Sequence, residues 1–200
     1  MTISDIDLGA RNEPVLSFLS QRRSVKAQLL TEPGPDASQL QTIITIGTRV
    51  PDHKKLTPWR FIVFQGAAHG RMGDSVAQAC LEEEDAAASE VRLETERNRL
   101  LRAPLVLALI SRTVEKPGVP EFEQVLSTGA VGLSVCLAAN ALGFGSQWLT
   151  EWIAYSPHVQ KTLGLGDGER IAGFIYIGTP RERLADRGRP DVESVVTYWT

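Results

Sequence analysis

Two stretches of the chain are apolar at nearly every position, Leu105-Val106-Leu107-Ala108-Leu109-Ile110 and Ile171-Ala172-Gly173-Phe174-Ile175-Tyr176-Ile177. Runs so short and uniform predict strands buried on both faces. Arg60-Phe61-Ile62-Val63-Phe64 is a third strand by its β-branched and aromatic content. Asp36, with Gln39 three residues on, predicts an N-cap and capping box opening a helix whose stripe is Leu40, Ile43, Ile44 and Gly47. Ser156-Pro157 predicts a second capped start, with proline at the first helical position and a helix to about Leu163. Residues 67–102 carry a helical pattern with a charged middle, stopped by Pro104, and Pro51 and Pro58 bracket a loop. From Thr179 onward Pro, Arg, Asp and Gly dominate until Val195-Val196-Thr197-Tyr198-Trp199, a last strand-like segment that predicts an arm docking on another surface. The pattern is a sheet covered by helices. It does not separate α+β from α/β.

Between Gln124 and Thr150 there are 27 residues without a charge. That length satisfies the bilayer rule, but Ser127, Thr128, Gly129, Gly132, Ser134 and Asn140 dilute the apolar residues, and no Lys/Arg asymmetry or paired aromatic anchors flank them. The central helix of a soluble core is the expectation. Gly143-Phe144-Gly145 then reads as a helix C-cap and turn, or as a place where backbone approaches a flat ligand.

Composition narrows the classes. Two hundred residues predict one domain, here 1–200, with room for a second only if both are small, and a chain of this size buries roughly 70% of its unfolded surface. Hydrophobic residues at 42% and charged ones at 22% exclude global disorder. The net charge of −3 argues against a nucleic-acid partner. Cys80 and Cys136 have neither zinc nor CxxC spacing, and the first twenty residues hold acids and no long apolar run. A reduced cytoplasmic protein off the membrane is the expectation.

Candidate chemistry is sparse. His53, His69 and His158 lie at no metal-ligand spacing, so no metal is expected, and GxSxG, HExxH and GxxxxGK[ST] are missing. An enzyme with so little reactive chemistry needs a cofactor to supply the reaction. Basic clusters carry more. Arg22-Arg23-Ser24 follows a first helix, four Lys/Arg stand against one acid between Arg49 and Arg60 with His53 among them, and Arg187-Gly188-Arg189 comes late. Planar guanidinium forks beside a hydroxyl suit a phosphate, though each cluster alone also fits a solvated helix end. The acid excess sits elsewhere: residues 82–102 hold seven acids against four arginines, a balance equal to the whole chain's −3.

Arg22-Arg23-Ser24, Arg49-Val50-Pro51-Asp52-His53-Lys54, Thr57-Pro58-Trp59-Arg60-Phe61, Arg102-Ala103-Pro104-Leu105, Gly143-Phe144-Gly145-Ser146-Gln147-Trp148, Gly173-Phe174-Ile175-Tyr176-Ile177-Gly178-Thr179-Pro180 and Val196-Thr197-Tyr198-Trp199 stand in one order. Together they resemble the nitroreductase family of flavin enzymes, in particular its small NAD(P)H nitroreductase branch of enteric bacteria. The resemblance implies an α+β fold with a central mixed, mostly antiparallel sheet flanked by helices. It also implies a homodimer in which a C-terminal arm (about 181–200) is exchanged. It implies bound FMN, with Arg22, Arg23 and Ser24 on the phosphate and ribityl chain. Arg49 and His53 reach the flavin from the other subunit, Trp148, Leu149 and Thr150 lie beside the ring, and Arg189 is a further phosphate contact. Ala138, Ala139, Asn140, Ala141, Leu142 and Gly143 correspond to a pyridine-nucleotide segment.

The implied activity is ping-pong: NADH or NADPH delivers hydride to flavin N5, and a nitroaromatic, quinone or similar electron-poor acceptor takes it on. No catalytic side-chain acid or nucleophile is implied. Leu149, where a basic residue can occur, disfavours an anionic substrate. A flavin-binding carrier or sensor with little turnover shares every phosphate residue. A non-flavin domain with a basic patch is a third reading, separated by colour.

Overall fold

A computed structural model of the chain describes residues 10–182 and 184–200. They fall into two compact units, one of residues up to Arg23 together with those after 183, and one of Ser24–Glu182.

The first unit holds helix α1 (Glu13–Gln21), whose N-cap Asn12 accepts from Val15 N and whose second residue is Pro14. Its C-terminal stretch contains only a 3-10 turn, Val192–Val195. The strand expected at Val195–Trp199 is therefore not formed. Among the described residues of this unit no strand offers a ladder to an extended segment, and Tyr198 and Trp199 are fully or nearly fully exposed.

The larger unit runs β1 (Leu30–Thr31), α2 (Ala37–Gly47), β2 (Trp59–Phe64), α3 (Ala67–Ala79), α4 (Glu90–Arg97), β3 (Leu105–Arg112), α5 (Glu121–Ala141), β4 (Gly145–Leu149), α6 (Pro157–Thr162) and β5 (Glu169–Pro180). The sheet order is β1-β5-β3-β2, with β4 also on β5. Every pairing among the described residues is antiparallel, within the mostly antiparallel α+β sheet expected. Strand β3 is buried from Leu105 to Ser111, as its uniform apolar run predicts. Leu105, Leu107 and Leu109 pack with Val131 and Val135 of α5 and Ile43 of α2. Each side chain so buried is worth about 1.5–3 kcal/mol.

Local signals place the helices. Asp36 and Gln39 close the capping box on α2, and Ser156 caps α6 by accepting from Val159 N. Gly143, at φ +89, ends α5: its N–H bonds to Asn140 O and that of Phe144 to Ala139 O, the double bond of a Schellman turn. The expected helical run over 67–102 is broken. Helix α3 passes into a π-turn, Cys80–Glu84, and the chain restarts only where Ser89 caps α4, with a 3-10 turn at Leu100–Arg102. At that break Glu82 and Glu83 are engaged by α6, His158 Nδ1 lying 2.7 Å from Glu82 Oε2 and His158 N donating to Glu83 Oε1 at 2.8 Å.

One contact ties β4, β5 and α5 together. The Trp148 indole sits where a Cβ on Gly132 would lie 2.5 Å from its ring, and a Cβ on Gly173 would overlap its Nε1. Nε1–H donates to Ala172 O at 3.1 Å. Ala172 is the extra residue of a bulge in β5, and Gly173 beside it takes φ +147. Gly173→Ala combines overlap with backbone strain and is expected to cost about 3 kcal/mol in the urea unfolding free energy.

A second tie joins β2 to β5. Arg60 grips both oxygens of Glu169 at 2.6 and 2.7 Å, and Gly166 N adds a third bond at 3.0 Å. The Arg60 guanidinium holds the Glu169 carboxyl down at about 2, from an ordinary 4.5. A carboxylate lowered in this way stabilises the fold fully above 4.5 and ceases to as pH falls through about 2. Glu169→Gln is expected to lose about 1–2 kcal/mol at neutral pH, with the deficit closing in acid unfolding curves as pH approaches the lower value.

Candidate functional site

Strand β4 delivers Trp148, Leu149 and Thr150. The Trp148 ring is committed to its glycine slot, so its side chain anchors the segment, while Leu149 is half-buried and Thr150 exposed. The next residue, Glu151, adopts φ 50 and ψ 178 without being glycine. Its carboxylate takes Arg102 Nη1 at 3.0 Å and Arg99 Nη1 at 2.9 Å. Arg102 also donates to Tyr176 Oη at 2.7 Å and lies 4.6 Å from that ring's centroid. Arg99 forks onto Glu96 at 2.6 and 2.7 Å, and fully buried Glu96 is further bonded by Arg92 at 2.9 Å and Trp152 Nε1 at 3.3 Å.

Burial opposes the charge on Arg99 and Arg102, but the bonds to Glu96 and Glu151 outweigh it and raise both above the ordinary value. Burial likewise opposes ionisation of Glu151, and Arg102 with Arg99 still lowers it. Burial pushes the Tyr176 phenol up to about 12. The sequence reading missed this network. The only signal was the Arg92, Glu96, Arg99 spacing, which an exposed helix shares.

Around the end of α1, the first unit gathers three of the predicted arginines. Arg189 Nη2 donates to Arg22 O and to Asp186 Oδ1, both at 3.1 Å, and Arg23 donates to Ala185 O. Arg22 Nε is buried with no hydrogen-bond partner among the described residues. The Arg187 N–H, with Arg189 and Arg23, holds the Asp186 carboxyl below its usual range. A buried guanidinium nitrogen lacking an acceptor fits the phosphate of FMN. Ser24 opens the larger unit.

Arg49 lies exposed just past α2, its N–H on Ile46 O. His53 starts a 3-10 turn, His53–Lys55, and its Nδ1 is 2.7 Å from Glu123 Oε2 on α5. Asp52 holds this loop by accepting from Leu56 N at 3.0 Å and Thr57 N at 2.9 Å. Lys54, Lys55 and Thr57 all take positive φ, strain of a kind that collects at ligand sites. Beside the loop is a cavity of about 310 Å³ lined by Pro51, His53, Glu123, Leu126, Ser127 and Ala130. Of the predicted nucleotide segment, Ala138 and Ala139 are core residues and Asn140 donates to Phe144 O and Ser146 Oγ. Ala141, Leu142 and Gly143 are exposed at the turn.

The sequence pattern of the Nitroreductase family matches residues 19–179. The chain belongs to this family. The Escherichia coli (strain K12) protein named "Putative NAD(P)H nitroreductase YdjA" is 35% identical over 185 residues, covering 92% of this chain and 98% of that protein. A nitroreductase-like family protein from Bacillus cereus has the same fold, with TM-score 0.80 at 23% identity over 94% of this chain and 97% of its own. A nitroreductase from Bacteroides fragilis NCTC 9343, solved with bound FMN, matches with TM-score 0.68 at 18% identity over 94% of this chain and 100% of its own.

Proposed function

We propose that this nitroreductase-family chain reduces nitroaromatic, quinone or similar electron-poor acceptors with NAD(P)H in a ping-pong cycle, as a cytoplasmic homodimer. Family membership and the 35% identical relative support an NAD(P)H-dependent oxidoreductase with FMN as its cofactor. The observation that carries the reading is the buried Arg22 Nε without an acceptor among the described residues, on a residue whose main-chain carbonyl Arg189 bonds. FMN held by these residues would supply the two-electron redox chemistry between NAD(P)H and the acceptor.

The chain's own residues bind and orient. Arg22, Arg23 and Ser24, with Arg189, neutralise and fix the phosphate. Leu149 and Thr150, anchored by Trp148 in its glycine slot, form the wall beside the ring, and apolar Leu149 excludes water and disfavours an anionic acceptor. Arg49 and His53 reach the flavin of the other subunit, and the Ala138–Gly143 turn borders the pyridine nucleotide. Positioning and electrostatics suffice, with no side-chain acid or nucleophile.

A dimer is supported by the outer face of α5. Phe122, Val125, Leu126 and Leu133 are all exposed at helical spacing, next to the His53 cavity. Val192, Val195, Val196, Tyr198 and Trp199 are also exposed, as an arm exchanged between subunits requires.

Arg22→Ala removes a charge-assisted bond worth about 1.5–3 kcal/mol, so the FMN dissociation constant is expected to rise about 10- to 100-fold in a flavin absorbance titration. A yellow protein that anaerobic NADH and NADPH both fail to bleach would favour the carrier reading. A protein that stays colourless with FMN would sink the flavin reading altogether. Leu126→Glu places a charge in the apolar stripe and is expected to give monomers that retain little flavin, measured by sedimentation and absorbance.

A further inference from the structure

The backbone at Glu151 is held in a region that side chains avoid, at φ 50 and ψ 178. Glutamate gains nothing locally from that conformation, so the surroundings impose it. The carboxylate is taken by two guanidinium groups, and each of those is fixed by another element. Arg102 is bonded to and stacked on Tyr176 of β5, and Arg99 is forked onto wholly buried Glu96 of α4. Three residues upstream, the Trp148 indole is wedged between Gly132 and Gly173 and bonded to Ala172 O. Only Leu149 and Thr150 lie between these two anchors. Leu149 is still paired with Phe174 in the β4–β5 ladder, and Thr150 is exposed.

We propose that Glu151 is a positioning residue for the oxidoreductase site: clamped by Arg102 and Arg99, it fixes the turn that presents the Leu149–Thr150 backbone to the flavin ring. The proposal rests on the assignment of Leu149 and Thr150 as the ring's neighbours. The clamp acts before any ligand arrives, so ordering cost is met in folding rather than in binding. A purely structural ion network would change stability and nothing else.

The test compares FMN affinity of the apoprotein, steady-state kinetics and thermal unfolding in Glu151→Gly, Glu151→Gln and Arg102→Lys. Glycine accepts the backbone conformation while deleting the clamp, so it keeps the test alive if the glutamine variant fails to fold. Lysine keeps the charge and loses the fork. Glu169→Gln, in the separate Arg60 pair, is the control for stability loss alone.

The clamp variants are expected to bind FMN about tenfold more weakly and to lose about 10- to 100-fold in kcat/KM, chiefly in kcat, while the control keeps both. FMN affinity and kcat within about twofold of wild type in Glu151→Gly and Arg102→Lys, with only the melting temperature lowered, would overturn the proposal. A wild-type protein that binds no FMN would instead overturn the flavin reading, and this proposal with it.

Discussion

The Trp148 indole occupies a slot that exists only because two facing positions lack a side chain. Gly132 opens it from α5, and Gly173 opens it from the bulge of β5. Filling it fixes three things at once: how closely α5 approaches the sheet, where β5 bends, and where β4 must end. Close packing leaves no slack for a substitute, since a ring lost or a methyl gained cannot be absorbed by neighbours already in contact. The residues assigned to the flavin ring begin at this tryptophan, so the geometry of the proposed site is inherited from a core contact.

The far side of that segment is set by charge rather than by packing. Glu96, Glu151, Arg92, Arg99 and Arg102 form one connected set, with Tyr176 and Trp152 supplying further bonds. Burying such groups is expensive, and apolar residues of similar size would often hold the fold as well or better. What ions provide in exchange is directionality. Guanidinium forks fix a carboxylate in angle as well as distance, and an angle is what a turn in a disfavoured backbone region requires.

Much of this was legible in the sequence. The uniform runs gave β3 and β5, Asp36 with Gln39 and Ser156-Pro157 gave helix starts, and Gly143 gave a stop, because each signal is local chemistry acting within a few residues. Arg22 and Arg23 were found as a basic pair after a helix. The failures share a cause. Residues 67–102 read as helical because period alone does not report the π-turn at Cys80–Glu84, whose Glu82 and Glu83 bond to His158 far along the chain, or the restart at Ser89. Val195–Trp199 read as a strand because propensity does not say whether a ladder is available. Arg99, Arg102 and Glu151 stand too far apart in the chain for their pairing to be written in any spacing. The slot that holds the Trp148 side chain was not legible either, because Gly132 and Gly173, which open it, lie far from it in the chain.

Helix α5 shows why an uncharged stretch can mislead. It is long and apolar enough to cross a membrane, with a mean hydropathy of 1.4 over its best window, yet half of that window is buried against the rest of the chain. A helix packed on one side of a soluble fold ordinarily turns charge outward. Here the outward stripe of Phe122, Val125, Leu126 and Leu133 is apolar as well. Two apolar faces need two partners, and the sheet is only one of them. The proposed second copy would supply the other, and since His53 and Glu123 pair at the edge of that stripe, such an interface would also border the loop assigned to the flavin. In the proposed dimer a short chain would build its cofactor pocket from two copies, each contributing a wall.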